Sequence, residues 1–470
     1  MSATGPDGPR PVMYPDASAP LAERARDALA DPTLGENLRG AAESWAAGRA
    51  RMGQEHPFAA MRERGREIRT RNVRELPALL DRLEERVRAA GGTVVRVADS
   101  AEACRYVIDL ARARGASLVA KSKSMATEEI KLNEALEEAG LRVVETDLGE
   151  WILQLAGQHP SHIIAPAVHL NREQVRELFM AESGRELPEG REALVAHARR
   201  RLREVFAAAD IGVSGVNFAI ADTGTICVVE NEGNARLVTA LPRIHVAVMG
   251  MERVVADWDE AAHLLQLLPM AAIGDDAAGY VNLLTGPRRE GEADGPEELH
   301  LMILDGGRSA LRGTEFEEVL HCIRCGACLY SCPMWRSVGG QAYGSPYSGP
   351  IGAVLTPLLE GMRGERSSEL PFLSSLCGAC HEACPVGIPL HDLLVRARAR
   401  VTTPGHRADR RRFRLWSLAW RSPAGYAVSR LAARAGLRLL GGRRGWIRRL
   451  PGPGEPWTRE RDVPARWPPR

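Results

Sequence analysis

Seven of the nine cysteines fall between residues 322 and 384, and their intervals are those of iron–sulfur ligands. Cys322, Cys325, Cys328 and Cys332, followed by Pro333, read C-x2-C-x2-C-x3-C-P. In this bacterial ferredoxin run the fourth cysteine ligates the other cluster. Reach explains the pattern. Three thiolates two residues apart can wrap three corners of one cubane, while the fourth, after a longer gap and a proline, points to a neighbour. A zinc knuckle pairs two C-x2-C units and needs no third cysteine at this interval.

A second run, Cys377, Cys380 and Cys384 before Pro385, is the same pattern with its first cysteine missing; Ser374 stands there. Crossed ligation predicts two clusters. The first takes Cys322, Cys325, Cys328 and Cys384. The second takes Cys332, Cys377 and Cys380 and lacks a fourth thiolate. Ser374, Ser375, His381 or a water could complete a [4Fe–4S] cluster there. The alternatives are a [3Fe–4S] cluster or an iron open to a substrate or partner. Four irons with an atypical ligand is the favoured reading, and such a ligand shifts the potential. Cys104 and Cys227 read as small core residues without a role.

Three features ahead of the cysteines could carry chemistry. Lys121-Ser122-Lys123-Ser124 follows an apolar run, and lysines with hydroxyls at a strand's carboxyl end suit an anion. The plainer reading is a solvated loop in which Ser124 or Thr127 caps a helix. Glu230-Asn231-Glu232-Gly233-Asn234 resembles the nucleophile turn of CoA-transferases, or is an ordinary turn capping a helix through Asn234. His159 and His162, near Gly149-Glu150-Trp151, could bind metal or move protons; hydrogen-bonded surface histidines are the commoner case. No G-x-G-x-x-G follows a strand and no G-x4-G-K-[ST] occurs, so neither a Rossmann dinucleotide site nor a P-loop is expected.

The elements that must hold these residues alternate. Residues 20–90 have helical spacing (Val73, Leu76, Leu79, Leu80, Leu83, Val87) and stop at Gly91-Gly92. Strands are expected at Thr93–Val97, Ser117–Ala120, Leu141–Glu145 and His162–Ala165. Helices are expected from Asp99 to Arg114, Ala126 to Ala139 and Glu192 to Ala208. Phe218–Ala221 and Ile226–Glu230 read as a hairpin. Ile244–Met249 and His300–Leu304 read as strands around a helix at Ala261–Leu268, with an exposed loop over 287–298. This alternation predicts an α/β fold with a parallel sheet, followed by a small α-helical iron–sulfur domain. The expected divisions are a helical arm (1–80), an α/β domain (81–305), a two-cluster domain (311–400) and a basic extension (401–470).

The composition is that of a globular chain of 470 residues, 44% hydrophobic and 26% charged. Its net charge of +2 conceals an asymmetry, because residues 401–470 hold 17 Arg and 4 acids. That extension also carries Trp416, Trp420, Trp446, Trp457 and Trp467 and ends Pro-rich; it is expected to be partly unstructured. Nucleic acid, an acidic partner or a membrane surface would each suit it, although no nucleic-acid role is expected. The first 20 residues lack a secretory apolar segment and no apolar run is long enough to span a bilayer. A cytoplasmic protein is expected, with peripheral membrane contact open, and nine cysteines in that compartment argue for metal rather than disulfides.

The stretches AKSKSMATEEIKLNEALEEAG, VNFAIADTGTICVVENEGN and HCIRCGACLYSCP…LCGACHEACPVGIPLHDLL resemble the lactate utilization protein B family, over about residues 60–400. The resemblance implies a LUD domain of isomerase/CoA-transferase-like fold, then a bacterial two-[4Fe–4S] ferredoxin-like module. It implies an electron-transfer subunit of a system oxidising L-lactate to pyruvate, partnered by that system's other subunits. The family's metal ligands map onto the seven cysteines above, and no catalytic residue is carried over. The rival readings are a CoA-transferase or isomerase with structural clusters, and a redox-sensing nucleic-acid binder.

Overall fold

A computed structural model describes residues 19–362, 367–405, 407–441, 446–450, 452, 455, 458 and 462–464. Trp457, Trp467 and residues 1–18 lie outside that set. The helical start is four helices: α1 (Leu21–Ala30), α2 (Pro32–Glu55), α3 (Phe58–Arg74) and α4 (Leu76–Ala89). Asp31 caps α2 by accepting from the Thr33 and Leu34 amides, and Pro32 follows where its missing N–H costs nothing. The apolar stripe of α4, from Leu76 to Val87, is buried, and the chain turns at Gly91 with φ +91°.

Strand–helix alternation then begins. β1 (Thr93–Val97), α5 (Ser100–Ala113), β2 (Leu118–Lys121), α6 (Met125–Glu129), α7 (Leu132–Glu138) and β3 (Arg142–Glu145) lead to α8 (Leu148–Ala156), α9 (Arg172–Ser183) and α10 (Arg191–Ala208). β4 (Ile211–Gly215), β5 (Phe218–Ile220), β6 (Thr225–Glu230), α11 (Asn234–Ala240), β7 (Ile244–Gly250), β8 (Val254–Val255), α12 (Trp258–Ala272), β9 (Tyr280–Leu284) and β10 (Glu298–Leu304) complete it. The main sheet has the order β1-β10-β7-β4-β2-β3, and every pairing is parallel. Beside it lies a second sheet, β8-β5-β6-β9, containing the antiparallel hairpin β5–β6.

Several elements differ from the sequence reading, among them α8, α9, β8 and β9, which it did not contain. The single helix expected over Ala126–Ala139 is two, broken at Lys131 with φ +55°. The break lets Ile130 and Leu132, which a continuous helix would set about 200° apart, both enter the core. His162–Ala165 is not a strand. Its amides turn inward, and Ile164 and Ala165 both donate to Nδ1 of His162. β4 was absent from the reading because its sequence, Ile-Gly-Val-Ser-Gly, is weak in strand formers.

The cysteine module contains α13 (Ala327–Tyr330), α14 (Pro333–Val338), α15 (Gly349–Leu359) and α16 (Ala379–Ala383), and α17 (Leu390–Gly405) follows it. Its core is continuous with that of the first helices: Leu34, Leu38 and Ile68 pack in one cluster with Leu329, Trp335 and Leu394. Arg69 of α3 clamps this junction. Its buried guanidinium donates to the carbonyls of Val254 (3.3 Å), Leu320 (3.0 Å), His321 (3.3 Å) and Glu252.

Arg400–Arg470 is a separate compact unit. Where little fixed structure was expected, α18 (Arg407–Trp420) and α19 (Pro423–Gly441) are helical. Arginine is a good helix former, so a high arginine content does not preclude helix. Within the unit Trp416 and Trp420 lie 4.9 Å apart, and Tyr426 meets Trp420 edge-on.

Candidate iron–sulfur centre and adjoining cavity

The two cysteine runs fold alike. Arg324-Cys325-Gly326-Ala327-Cys328 and Leu376-Cys377-Gly378-Ala379-Cys380 each place a left-handed residue on both sides of the first cysteine. Those residues are Arg324 (φ +61°) and Gly326 (+78°), then Leu376 (+56°) and Gly378 (+85°). Left-handed backbone at arginine and leucine is strained by about 1 kcal/mol or more, and it curls each loop around a common centre. The equivalence extends upstream. The Arg324 amide donates to Sγ of Cys322 at 3.4 Å, and the Leu376 amide donates to Oγ of Ser374 at 3.1 Å.

The thiols form two groups. Cys322, Cys325, Cys328 and Cys384 line one small cavity with Ile163, Ile351 and Ile388. Burial pushes the Cys325 and Cys328 thiols up, and their neighbours add to it: Cys384 and Cys322 act on Cys325, while Cys322, Cys325, Cys380 and Cys384 act on Cys328. Burial also raises Cys384, to about 11, with Cys322 adding, against amide hydrogen bonds from Ile388 and Val386. In the other group, burial raises Cys380 to about 12, with Cys332 and Cys377 adding. Burial raises Cys332, and Cys377 adds to that. Cys377 is exposed, and hydrogen bonds from the Ala379 amide and the Ser375 hydroxyl draw its thiol down.

Crowded, buried thiols without a disulfide resist ionising on their own, and a bound metal supplies the positive charge that makes them thiolate ligands. The donor set therefore fits two iron–sulfur clusters, with four sulfurs at one centre and three at the other. Of the candidates for the open corner, Ser374 has the place of Cys322, Ser375 meets Cys377, and His381 uses Nδ1 on the Ile388 carbonyl at 3.0 Å. Cys104 is buried in the α/β core, and Cys227 is buried in the hydrophobic cluster shared with the cysteine module; both are far along the chain from either group.

His162 is not a surface histidine. It is 1% exposed, stacked on Trp45 and edge-on to Trp335. Burial, with Lys123 adding, lowers it to about 3, so the ring is neutral. It packs on Gly326, between Cys325 and Cys328. His159 is exposed, and its carbonyl accepts from Gln341.

A cavity of about 260 Å³ opens at the carboxyl ends of β2, β4 and β7, where an open parallel sheet presents its ligand site. Ser122, Lys123 and Ser124 line it, as the sequence reading anticipated for an anion loop. Lys121 does not take part. It is buried, and its ammonium lies 2.7 Å from both Glu128 and Glu145. Burial opposes its charge, but these carboxylates outweigh burial and hold the group protonated. Lys123 pairs with Glu150 at 2.7 Å, and Ser124 caps α6.

Glu230 is not free to act as a nucleophile. Its oxygens accept from the Ala235 amide (2.6 Å), the Arg236 amide (3.0 Å) and Asn282 (2.7 Å). The helix α11 is thus capped from Glu230, not from Asn234. Glu232 sits at the rim; burial of its inner side and the Asp147 carboxylate raise it to about 7.

The cavity is also lined by Arg253, Arg308, Arg324 and Tyr347, which sequence reasoning missed. They come from distant segments and share no motif. Arg308 is bound by Glu252 (2.8 Å) and Glu129 (2.6 Å), and Arg324 stacks over Tyr347 at 4.3 Å. Ile163 lines both this cavity and the cysteine cavity, so the two are neighbours.

Known proteins bear on this arrangement. Residues 80–304 match the family model described as LUD domain, and residues 318–388 match the one described as 4Fe-4S dicluster domain. Lactate utilization protein B of Shouchella clausii is 44% identical over 460 residues, covering 96% of this chain and 95% of its own. Lactate utilization protein B of Bacillus licheniformis is 49% identical over 403 residues, covering 85% and 84%. The crystal structure of a DUF162 family protein from Deinococcus radiodurans matches 49% of this chain at 15% identity, with a TM-score of 0.24, too low to bear on the fold.

Proposed function

We propose a function from one premise: the chain belongs to the lactate utilization protein B family. It has a role in lactate utilization, and within that role it is the iron–sulfur electron-transfer subunit of a system oxidising L-lactate to pyruvate. The observation that carries this reading is the convergence of Cys322, Cys325 and Cys328 with Cys384, from the second run, on one cavity.

Cys322, Cys325, Cys328 and Cys384 hold the first cluster. Cys332, Cys377 and Cys380 hold the second, and Ser374 supplies its fourth corner. When bound, such clusters carry electrons one at a time, which suits the two-electron oxidation of a hydroxyacid. The chain's own groups tune them. Amides of Arg324 and Ile388 donate to Cys322 and Cys384 sulfurs. The other proteins of the lactate utilization system provide the remaining steps. The CoA-transferase alternative gains nothing from Glu230, whose oxygens are occupied by a helix cap.

The test is anaerobic purification with the native partners, then addition of L-lactate while the clusters are followed by EPR. Lactate-dependent reduction is expected. Clusters that stay oxidised with lactate and partners present overturn the reading.

A further inference from the structure

The buried charge around Arg253, Arg308 and Arg324, which line the 260 Å³ cavity, and their neighbour Arg69 does not balance. Arg69, Arg253, Arg308 and Arg324 are each less than a tenth exposed. Against these four guanidiniums the carboxylates of Glu129, Glu252 and, for Arg69, Glu260 stand in ion-pair or electrostatic contact, and Glu260 also pairs with Arg71. Arg69 is held by main-chain carbonyls and Arg308 by close ion pairs with the carboxylates of Glu129 and Glu252. Arg253 and Arg324 are not. Arg253 has only a 3.9 Å approach to Glu252. Nη1 of Arg324 is buried and, among the described residues, has no hydrogen-bond partner. Unpaired buried guanidinium is costly, and a bidentate anion is its natural complement. The lining of the same cavity also includes the acidic Glu232 and Asp147.

We propose that this cavity binds a small 2-hydroxycarboxylate, its carboxylate on Arg253 and Arg324 and its hydroxyl toward the Glu232 rim. A cavity of this size has more room than a three-carbon hydroxyacid needs, so waters share it with the ligand. Its place at the carboxyl ends of the strands is the ordinary one for a ligand, and Arg324 lies between Cys322 and Cys325. The bound molecule is therefore next to the first cluster's ligands. The inference rests on the electron-transfer reading only for the identity of the hydroxyacid; the anion site follows from the arginines.

One rival use of the same charge is to offset the thiolates, since Cys322 also acts on Arg69, Arg253 and Arg324. The experiment separates the two. The cluster-loaded full chain is titrated calorimetrically with L-lactate and with propionate, which lacks the hydroxyl. One lactate per chain is expected, with propionate at least tenfold weaker. Arg253→Gln weakens lactate at least tenfold. Ala278→Trp, which fills the cavity from a partly exposed position without touching the arginines, does the same and guards against misfolding of the first variant. Lactate affinity unchanged in both variants overturns the site, even if Arg253→Gln moves the first cluster's potential. Equal affinity for propionate overturns the hydroxyacid assignment. Lactate binding in the parent with clusters left oxidised beside the partners sinks the relay and keeps the site. Lactate-dependent reduction in the Arg253→Gln complex at the same lactate concentrations as in the parent does the reverse.

Discussion

Ser374 stands to the second cysteine run as Cys322 stands to the first: each side chain accepts the amide two residues on, from Leu376 at 3.1 Å and from Arg324 at 3.4 Å. An alkoxide or hydroxyl oxygen thus has the position of the missing thiolate. Ser374→Ala is expected to convert the second centre to a [3Fe–4S] EPR signature. Ser374→Cys is expected to keep four irons and change the potential by tens of millivolts or more, because ligand identity sets it. Identical spectra for parent and both variants would remove Ser374 from the centre.

The crossed assignment makes distant cysteines behave as one. Cys384→Ala and Cys322→Ala should lose the same cluster, and Cys332→Ala and Cys377→Ala the other, each halving iron per chain. Iron and sulfide analysis with EPR checks this. A Cys384→Ala protein that keeps the cluster lost in Cys322→Ala would show the runs to be uncrossed.

Gly326 has a second constraint besides its left-handed backbone. A Cβ there would lie 2.7 Å from Cε1 of His162, whose ring is wedged between Trp45 and Trp335. Gly326→Ala should cost about 1–3 kcal/mol of local strain and selectively deplete the first cluster. Gly378→Ala, where φ is also positive but no atom lies within 4 Å of the added Cβ, should cost less. Cluster occupancy after anaerobic reconstitution distinguishes the two.

Lys121 anchors Glu128 and Glu145 in the floor beneath the cavity. Removing one partner of a buried ion pair strands the other charge. Lys121→Met should therefore destabilise the chain by about 3–5 kcal/mol. Urea unfolding by circular dichroism measures it, and a loss under 1 kcal/mol would mean that water already screens the pair.

Glu252 gives a pH signature. Burial opposes its ionisation, but Arg308, Arg324 and Arg253 outweigh burial and hold the carboxyl at about 2, below the ordinary 4.5. A folded-state value below the unfolded one adds stability above the unfolded value, and that stability is lost as pH falls through the folded value. Stability should fall between about pH 5 and about pH 2, by on the order of 3 kcal/mol from this group. Urea midpoints at pH 6 and pH 4 should converge in Glu252→Gln, although that variant is weaker at both. An unchanged slope would place the acid sensitivity elsewhere.

Local chemistry was legible and long-range chemistry was not. Cysteine intervals announced the clusters, Asp99 and Ser124 announced helix starts, and Gly91 marked a turn. β4 was hidden because its glycines answer to neighbours: a Cβ at Gly212 would strike the Val238 carbonyl, and one at Gly215 would press on Ser124. His162-Ile163-Ile164-Ala165 has the composition of a strand, but tertiary packing on Trp335 and Gly326 overrides it. The arginines of the cavity come from three segments, and no spacing rule gathers Arg253, Arg308 and Arg324.

Arg69 has a further consequence for the order in which the protein is made. Its last acceptor, the His321 carbonyl, lies 252 residues downstream. While the ribosome is still emitting the sheet, the guanidinium has neither that partner nor the core shared with Leu329 and Trp335. The first helices can meet α12, β1 and β8 by then, but the Arg69 clamp closes only once the Leu320 and His321 carbonyls have been made. A cut at residue 80, where the matched LUD domain begins, would remove Arg69 from both of the parts it joins.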